Sequence, residues 1–281
     1  MTPLTDRAFW DAVAPDEEID RGDEAINRAL RWREIERHLA GVRTVLDIGA
    51  GTGAFSIPLA RRGLAVTHLD VSPAMIAAAR RRAGALATLT FVEASAADLS
   101  RFADRSFDLV LNLDGAISFA GPQGAAAVLA ETCRVARRTV IVTVSNRACM
   151  VATWLKYSLQ ATGRILPAVH AMMRTGGWDH DQFPDNALLY PGVCDLPRLQ
   201  SFTRDELAAA LTRQGLTVLA ARALGSLTHL LLPHGLDAAA TDDFVALCEA
   251  FDSDLLPDGP GSFRRAGLLA VAARPDESIA G

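Results

Sequence analysis

A single lysine, Lys156, stands in a chain of 281 residues. Proteins that follow a phosphate backbone carry clustered basic stripes, whereas this chain has 28 basic residues against 33 acidic ones and a net charge of −5. Nucleic acid is therefore not an expected partner. The one dense basic run, Arg80 to Arg82, closes a helical pattern that opens at Ser72, where cations complement the helix dipole, so its expected role is structural. Cysteine is scarce too: Cys133, Cys149, Cys194 and Cys248 are scattered without CxxC or CxxH spacing. No metal site is implied, and small buried thiols in a reducing compartment are the simplest setting. Apolar runs long enough to cross a bilayer, ~18 residues, are missing. The first stretch places Asp6, Asp11, Asp16, Glu17 and Glu18 where a secretory signal would need an apolar segment. A cytoplasmic protein with no membrane partner is expected, and oligomeric state is left open.

What the chain does have is apolar surface. Half of its residues are hydrophobic, enough for the core of one α/β domain with an added cap and no disulfide staples. The most informative stretch is Thr44 to Gly53, TVLDIGAGTG. A short apolar strand runs into a turn with glycines at 49, 51 and 53, which lets backbone approach a nucleotide-like ligand. Gly49, Gly51 and Ala54 also satisfy the loose dinucleotide pattern G-x-G-x-x-G/A, so a nicotinamide oxidoreductase is one reading. Asp47 argues for another. A carboxylate two residues before the first glycine would repel a pyrophosphate, but suits a ligand bearing a sulfonium and an ammonium.

A second strand, Leu64 to Leu69, leads to Asp70. An acid at that spacing can accept hydrogen bonds from both hydroxyls of a ribose, whichever nucleoside carries it. Ser72 then reads as a helix N-cap, with Pro73 in the first turn and Met75 and Ile76 opening an apolar face.

VLDIGAGTGAFSIPLARRGLAVTHLDVSPAMIAAA resembles the first two motifs of class I S-adenosylmethionine-dependent methyltransferases of the small-molecule type, and the likeness continues toward the C-terminus. Phe91 to Leu99, FVEASAADL, occupies the place of the family's F-V-x-G-D-A-x-x-L, where an acid holds the adenine amine. Here Ser95 replaces that acid, with Asp98 following at a helical turn's distance. Ser106 to Ser118 reads as a buried strand and a polar turn whose Asn112 to Gly115 would lie beneath the sulfonium. That turn, NLDG, departs from the N/D-P-P-Y box of enzymes that methylate base or glutamine amines. Arg137 and Arg138 stand where relatives often carry a Gly-Gly turn. The resemblance implies S-adenosyl-L-methionine as cofactor and S-adenosyl-L-homocysteine as its product. The binding set it implies is Asp47, Gly49, Ala50, Gly51, Gly53, Asp70, Val71, Met75, Ser95, Ala96, Asp98, Asn112 and Leu113.

The expected fold is α/β, a Rossmann-like, seven-stranded, mostly parallel sheet with helices on both faces and an inserted helical cap. Residues 1–40 carry two apolar stripes, one of Phe9, Trp10 and Val13 and one of Ile26, Leu30, Ile35 and Leu39, and are read as a helical lid joined by a loop over APDEEIDRGDE. Residues 41–145 form the cofactor-binding core, with a helix over Gln123–Ala136 and a strand over Arg138–Val144. Residues 146–201 interrupt the rhythm as a substrate cap, where Met150, Trp154, Leu155, Tyr157, Met172, Met173 and Trp178 belong either to packing or to a greasy pocket. Residues 202–274 return to the core. Thr203 caps a helix with Glu206 three residues later, an antiparallel pair of strands ends the sheet, and a helical insertion falls near 237–256. Residues 275–281 read as an unstructured tail.

Methyl transfer from a sulfonium is an in-line displacement, so the catalyst chiefly sets a nucleophile about 3 to 3.5 Å from the methyl carbon. One base for the acceptor's proton suffices. His180, between Asp179 and Asp181, is the first candidate, His229 the second and His170 the third; Asp114 could orient the acceptor from below. The leading expectation is methyl transfer to an oxygen or nitrogen, less so a carbon, of a small, fairly apolar metabolite. An enzyme that uses the bound sulfonium for cyclisation or rearrangement is the second reading, and the NAD-dependent oxidoreductase the third.

Overall fold

The computed structural model describes residues 6–17, 22–113, 115–179, 198–224, 238–251 and 267–275. Two helices, α1 (Asp6–Glu17) and α2 (Gly22–Arg37), precede β1 (Thr44–Ile48), α3 (Ser56–Arg61), β2 (Ala65–Asp70), α4 (Pro73–Ala83), β3 (Leu89–Glu93) and β4 (Phe107–Asn112). A single turn, α5 (Ala116–Phe119), leads to α6 (Gly121–Val135) and the long β5 (Ala136–Asn146). The inserted region supplies α7 (Arg147–Thr162), α8 (Pro167–Thr175), β6 (Gly177–Asp179) and β7 (Arg198–Phe202). The chain then returns through α9 (Arg204–Arg213), β8 (Thr217–Leu224), α10 (Ala238–Ala250) and β9 (Gly267–Ala273).

Strands β3, β2, β1, β4 and β5 lie side by side, all parallel. On the free edge of β5, β9 runs antiparallel over Thr139 to Ser145, and β8 runs antiparallel to β9. These seven strands are the expected Rossmann-like sheet. The insertion adds two short strands: β7 pairs with β5 only at Ser145 and Asn146, and β6 lies antiparallel to β7. The sheet thus has nine strands among the described residues.

Parallel strands covered on both faces read as continuous apolar runs, and β4 is buried at every position. Because side chains alternate across a strand, the sheet feeds two cores. Leu46, Ile48, Val110, Val140 and Val142 meet Val128 and Leu129 of α6 and Leu207 and Leu211 of α9. Val45, Leu109, Leu111 and Ile141 meet Ile26 and Leu30 of α2, Leu59 of α3 and Val245 of α10. Helix α1 extends through Pro15 to Glu17, so the first residues of the APDEEIDRGDE segment are helical rather than loop.

Local signals act as read. Ser72 Oγ accepts from the Met75 amide at 3.1 Å, and Thr203 and Glu206 form a reciprocal capping box. The Arg80 to Arg82 run is structural: Arg80 lies over the Phe91 ring, and Arg82 donates to Thr52 Oγ1 at 2.7 Å. Helix α6 passes directly into β5. There Arg137 donates to Asp108, which also accepts from the Arg43 and Thr44 amides. Burial pushes the Asp108 carboxyl up, but these donors outweigh it and hold it down to about 2.

The insertion has a small core of its own. Trp154 and Trp178 meet edge to face at 5.7 Å, among Leu166, Val169, Met172 and Leu199. Of the residues proposed for a greasy pocket, these are packing, and Met173 is exposed. Cys133, Cys149 and Cys248 are buried free thiols, with Cys133 pushed up to about 12 by burial. Cys194 and residues 276–281 lie outside the described residues. No helix among the described residues is long and apolar enough to cross a membrane, and none of their His, Cys, Asp and Glu residues group so as to hold a metal ion.

His68 on β2 is fully buried, with Nδ1 2.8 Å from Ser56 Oγ and its ring against Phe91. Burial, with the Arg80 charge, pulls its pKa from 6.5 down to about 4. The folded protein therefore binds fewer protons than the unfolded chain between those values, and stability falls as pH drops through that window. Wild-type protein should lose about 2 to 3 kcal/mol more than His68→Asn between pH 7 and pH 4 in urea unfolding. Parallel pH curves for the two proteins would refute this.

Candidate active site

The carboxyl ends of the parallel strands open on one cavity of about 650 Å³, within the range that holds small ligands. Its wall includes Asp47, Gly49, Ala50 and Gly51 from the first turn, Asp70, Val71 and Met75 from the second, Ser95 and Ala96 from the third and Leu113 from the fourth. The first turn is held by Gly49 and Ala50 amides donating to the Leu69 carbonyl. Gly49 and Gly53 have positive φ and pack tightly, since a Cβ would stand 2.9 Å from Ala116 Cβ or 2.5 Å from Ile57 Cδ1. At Gly51, also at positive φ, a Cβ would meet nothing within 4 Å. That glycine is the open side of the cradle, whereas Gly53 lies behind the wall.

Asp70 joins the first two turns. One carboxylate oxygen accepts from the Gly51 amide at 2.8 Å, the other from the Ser72 amide at 2.9 Å. Burial raises its pKa, the amides of Ser72, Gly51 and Val71 oppose that rise, and nearby Asp11 adds to it; the balance is upward. Asp47, 1% exposed, is the second acid of the wall.

Helix α1 covers one side. Asp11 accepts from Ser72 Oγ and from the Ala74 amide at 3.1 Å, which docks α1 on the N-terminus of α4. Trp10 lines the cavity and meets Phe119 edge to face at 5.1 Å.

The comparisons with known proteins bear on the same region. A family model described as a methyltransferase domain matches residues 45–139. Over residues 45–139 the chain is thus similar to methyltransferase domains. Among curated relatives, a demethylmenaquinone methyltransferase of Tropheryma whipplei is 32% identical over 142 residues, 48% of this chain and 59% of that protein. The chain thus spans little more than half the length of that relative. Two solved structures share the fold. The magnesium protoporphyrin IX methyltransferase of Synechocystis PCC 6803 is 15% identical, covers 98% of this chain and 90% of its own, and has a TM-score of 0.51. The 1,6-didemethyltoxoflavin-N1-methyltransferase of Burkholderia thailandensis is 17% identical, covers 98% and 93%, and has a TM-score of 0.52.

Within this region, two further residues of the expected binding set, besides Gly53, lie off the wall. Asn112 shares the pleat face of Val110, so its amide donates to Thr132 of α6 at 2.9 Å; its neighbour Leu113 takes the cavity instead. Asp98 is exposed in a tight turn, not a helix, and accepts from the Ser100 amide. Ser95 Oγ accepts from the Ala97 amide at 3.2 Å. His180, His229 and Asp114 lie outside the described residues, and His170 is exposed on α8 and off the wall. Met150, one of the candidate pocket residues of the insertion, lines the wall, and residues that sequence reasoning missed complete it: Arg28 and Arg31 of α2, Phe119, Thr143 to Ser145 and Arg198. Arg28 and Arg31 flank the apolar stripe of α2, a placement that periodicity alone leaves open between cavity and solvent.

Asp11 supplies acceptors of the kind whose loss costs about 1 kcal/mol at a helix N-terminus. Asp11→Ala should therefore speed amide hydrogen exchange in α1 by up to about tenfold while leaving β1 and β4 unchanged. Unaltered exchange in α1 would show that it is held by its apolar face alone.

Proposed function

We propose that this protein binds S-adenosyl-L-methionine and transfers its methyl group to an oxygen or nitrogen of a small, fairly apolar metabolite. The observation that carries the reading is Asp47, a buried carboxylate on the cavity wall beside a glycine cradle whose middle position is open. A carboxylate at that place disfavours a diphosphate beside it and favours a cationic group. The helix after the turn opens only at Ser56, so the glycines do not present a helix N-terminus in the way a dinucleotide site does. Both fold neighbours described above were solved with S-adenosylhomocysteine bound.

The residues fit that cofactor. In this reading Asp70 accepts from ribose hydroxyls, Ser95 and the Ala96 backbone meet the adenine edge, and Asp47 faces the cationic end. Arg28 and Arg31 bring positive charge for the methionyl carboxylate. The cofactor supplies a methyl group on a positively charged sulfur. The chain's task is to hold the acceptor in line with that group and keep water out. Trp10, Phe119 and Met150 offer a flat, apolar seat for it. The acceptors named for the similar proteins, demethylmenaquinone for the relative and magnesium protoporphyrin IX and 1,6-didemethyltoxoflavin for the fold neighbours, agree with a flat acceptor. For a neutral acceptor the proposed bases are His180 and His229, with Asp114 orienting the acceptor.

Calorimetry should detect S-adenosylhomocysteine binding and no comparable affinity for NAD. Asp70→Ala removes charge-assisted hydrogen bonds worth about 1.5 to 3 kcal/mol, so S-adenosylhomocysteine affinity should fall about 10- to 150-fold. Tight NAD binding with S-adenosylhomocysteine ignored would overturn the reading.

A further inference from the structure

The glycine turn after β1 is gripped along its length by β2 and α4. The Leu69 carbonyl accepts from the Gly49 and Ala50 amides at 2.8 and 3.0 Å, and Asp70 accepts from the Gly51 amide. Farther along the turn, α4 takes over. A Cβ at Gly53 would stand 3.5 Å from Ala79 Cβ, so the turn packs on that face of the helix. Arg82, three residues after Ala79 and therefore its neighbour on the helix surface, reaches back to Thr52. Its Nη1 donates to the Thr52 hydroxyl at 2.7 Å and to the Thr52 carbonyl at 3.3 Å. Arg82 is exposed and stands off the cavity wall, whereas Thr52 is buried and on it.

The carbonyl that Arg82 engages belongs to the same peptide unit as the Gly53 amide, and that amide closes the turn by donating to the Ala50 carbonyl at 2.9 Å. A charged donor on the oxygen of a peptide polarises its N–H, so the two bonds strengthen each other. Gly51 and Thr52 are the central residues of the turn closed in this way. Gly51 has φ +53 and is the open position of the cradle; as a glycine it has the most backbone freedom to lose, and gains most from outside restraint. A cradle held in its binding shape binds more tightly than one that visits that shape part of the time.

Resting on the methyl-transfer reading above, we propose that Arg82 is a positioning residue for the cofactor. From outside the site, through the Thr52–Gly53 peptide, it holds the Gly51 backbone in the shape that receives S-adenosyl-L-methionine. The basic end of α4 thus serves ligand binding as well as the helix dipole.

The test uses the full chain with S-adenosylhomocysteine as probe, titrated by calorimetry, and amide hydrogen exchange over Gly51–Gly53 with and without it. Arg82→Gln should weaken S-adenosylhomocysteine binding about three- to tenfold. It should also speed exchange over Gly51–Gly53 in the free protein while leaving β4 unchanged, and saturation with S-adenosylhomocysteine should bring that exchange back toward wild type. Arg82→Lys, which keeps a charged donor, should stay within about twofold of wild-type affinity. Arg213→Gln, which removes the same charge from the exposed end of α9, should leave the affinity unchanged. A purely structural role would instead lower the urea midpoint of Arg82→Gln with S-adenosylhomocysteine affinity kept, and that result would overturn the assignment. So would an equal loss in Arg213→Gln, no recovery in Arg82→Lys, or unaltered exchange over Gly51–Gly53. Failure of wild-type protein to bind S-adenosylhomocysteine would instead sink the methyl-transfer reading on which the assignment rests.

Discussion

The carboxylate of Asp70 is the joint on which the site is built. Its two oxygens take the Gly51 amide and the Ser72 amide, so the glycine turn after β1 and the start of α4 after β2 are fixed to one another through a single side chain. Neither turn has this geometry by itself. The glycines at 49, 51 and 53 are free to wander through positive φ in an unfolded chain, and only a fixed acceptor selects one arrangement. The same carboxylate sits at the mouth of the cavity and is 6% exposed. Burial and the Asp11 charge raise its pKa against the pull of the amides.

The sheet converts that joint into a site by its pleat. Residues at successive positions of a strand face opposite layers, so Val45 and Asp47 share one face while Leu46 and Ile48 share the other. The same rule places Leu113 on the cavity and turns Asn112 toward Thr132. Once the parallel order of β3, β2, β1, β4 and β5 is set, the strand ends that carry function all emerge on one edge. The long β5 then supplies the remaining wall, because it outlasts its neighbours and pairs with β7 at its last two residues. The insertion reaches the cavity through that contact.

What could be read from the sequence follows the range of the interactions. Thr44 to Gly53, Asp70 and the Ser72 and Thr203 caps were legible because each is set within a few residues, by glycine conformation or by a side chain reaching its own helix. The antiparallel close of the sheet was legible from two apolar runs. Asn112 was misplaced because a motif names a position without its pleat face. Trp154, Met172 and Trp178 look like pocket residues in composition, yet they fill a separate small core between α7, α8 and β6. Arg28, Arg31 and Arg198 were missed since arginine at a helix flank or on a short strand carries no local signal. Their place is set by which tertiary surface they meet, and the stem of Arg198 packs where Gly121, 77 positions earlier in the chain, has no side chain.

Lid and ligand site draw on one helix end. Asp11 takes the Ser72 hydroxyl and the Ala74 amide, while Asp70 takes the Ser72 amide. Two carboxylates beside each other repel, and the N-terminus of α4, whose Ser72 and Ala74 amides donate to them, is what makes their proximity tolerable. A ligand that donates to Asp70 would relieve part of that repulsion, which favours the docked position of α1. By linkage, docking of α1 then favours the ligand to the same degree. Trp10 rides on the same helix and meets Phe119 across the cavity, so whatever holds α1 in place also completes the apolar seat. The order of the N-terminal helix and the shape of this end of the cavity are, in this fold, one variable.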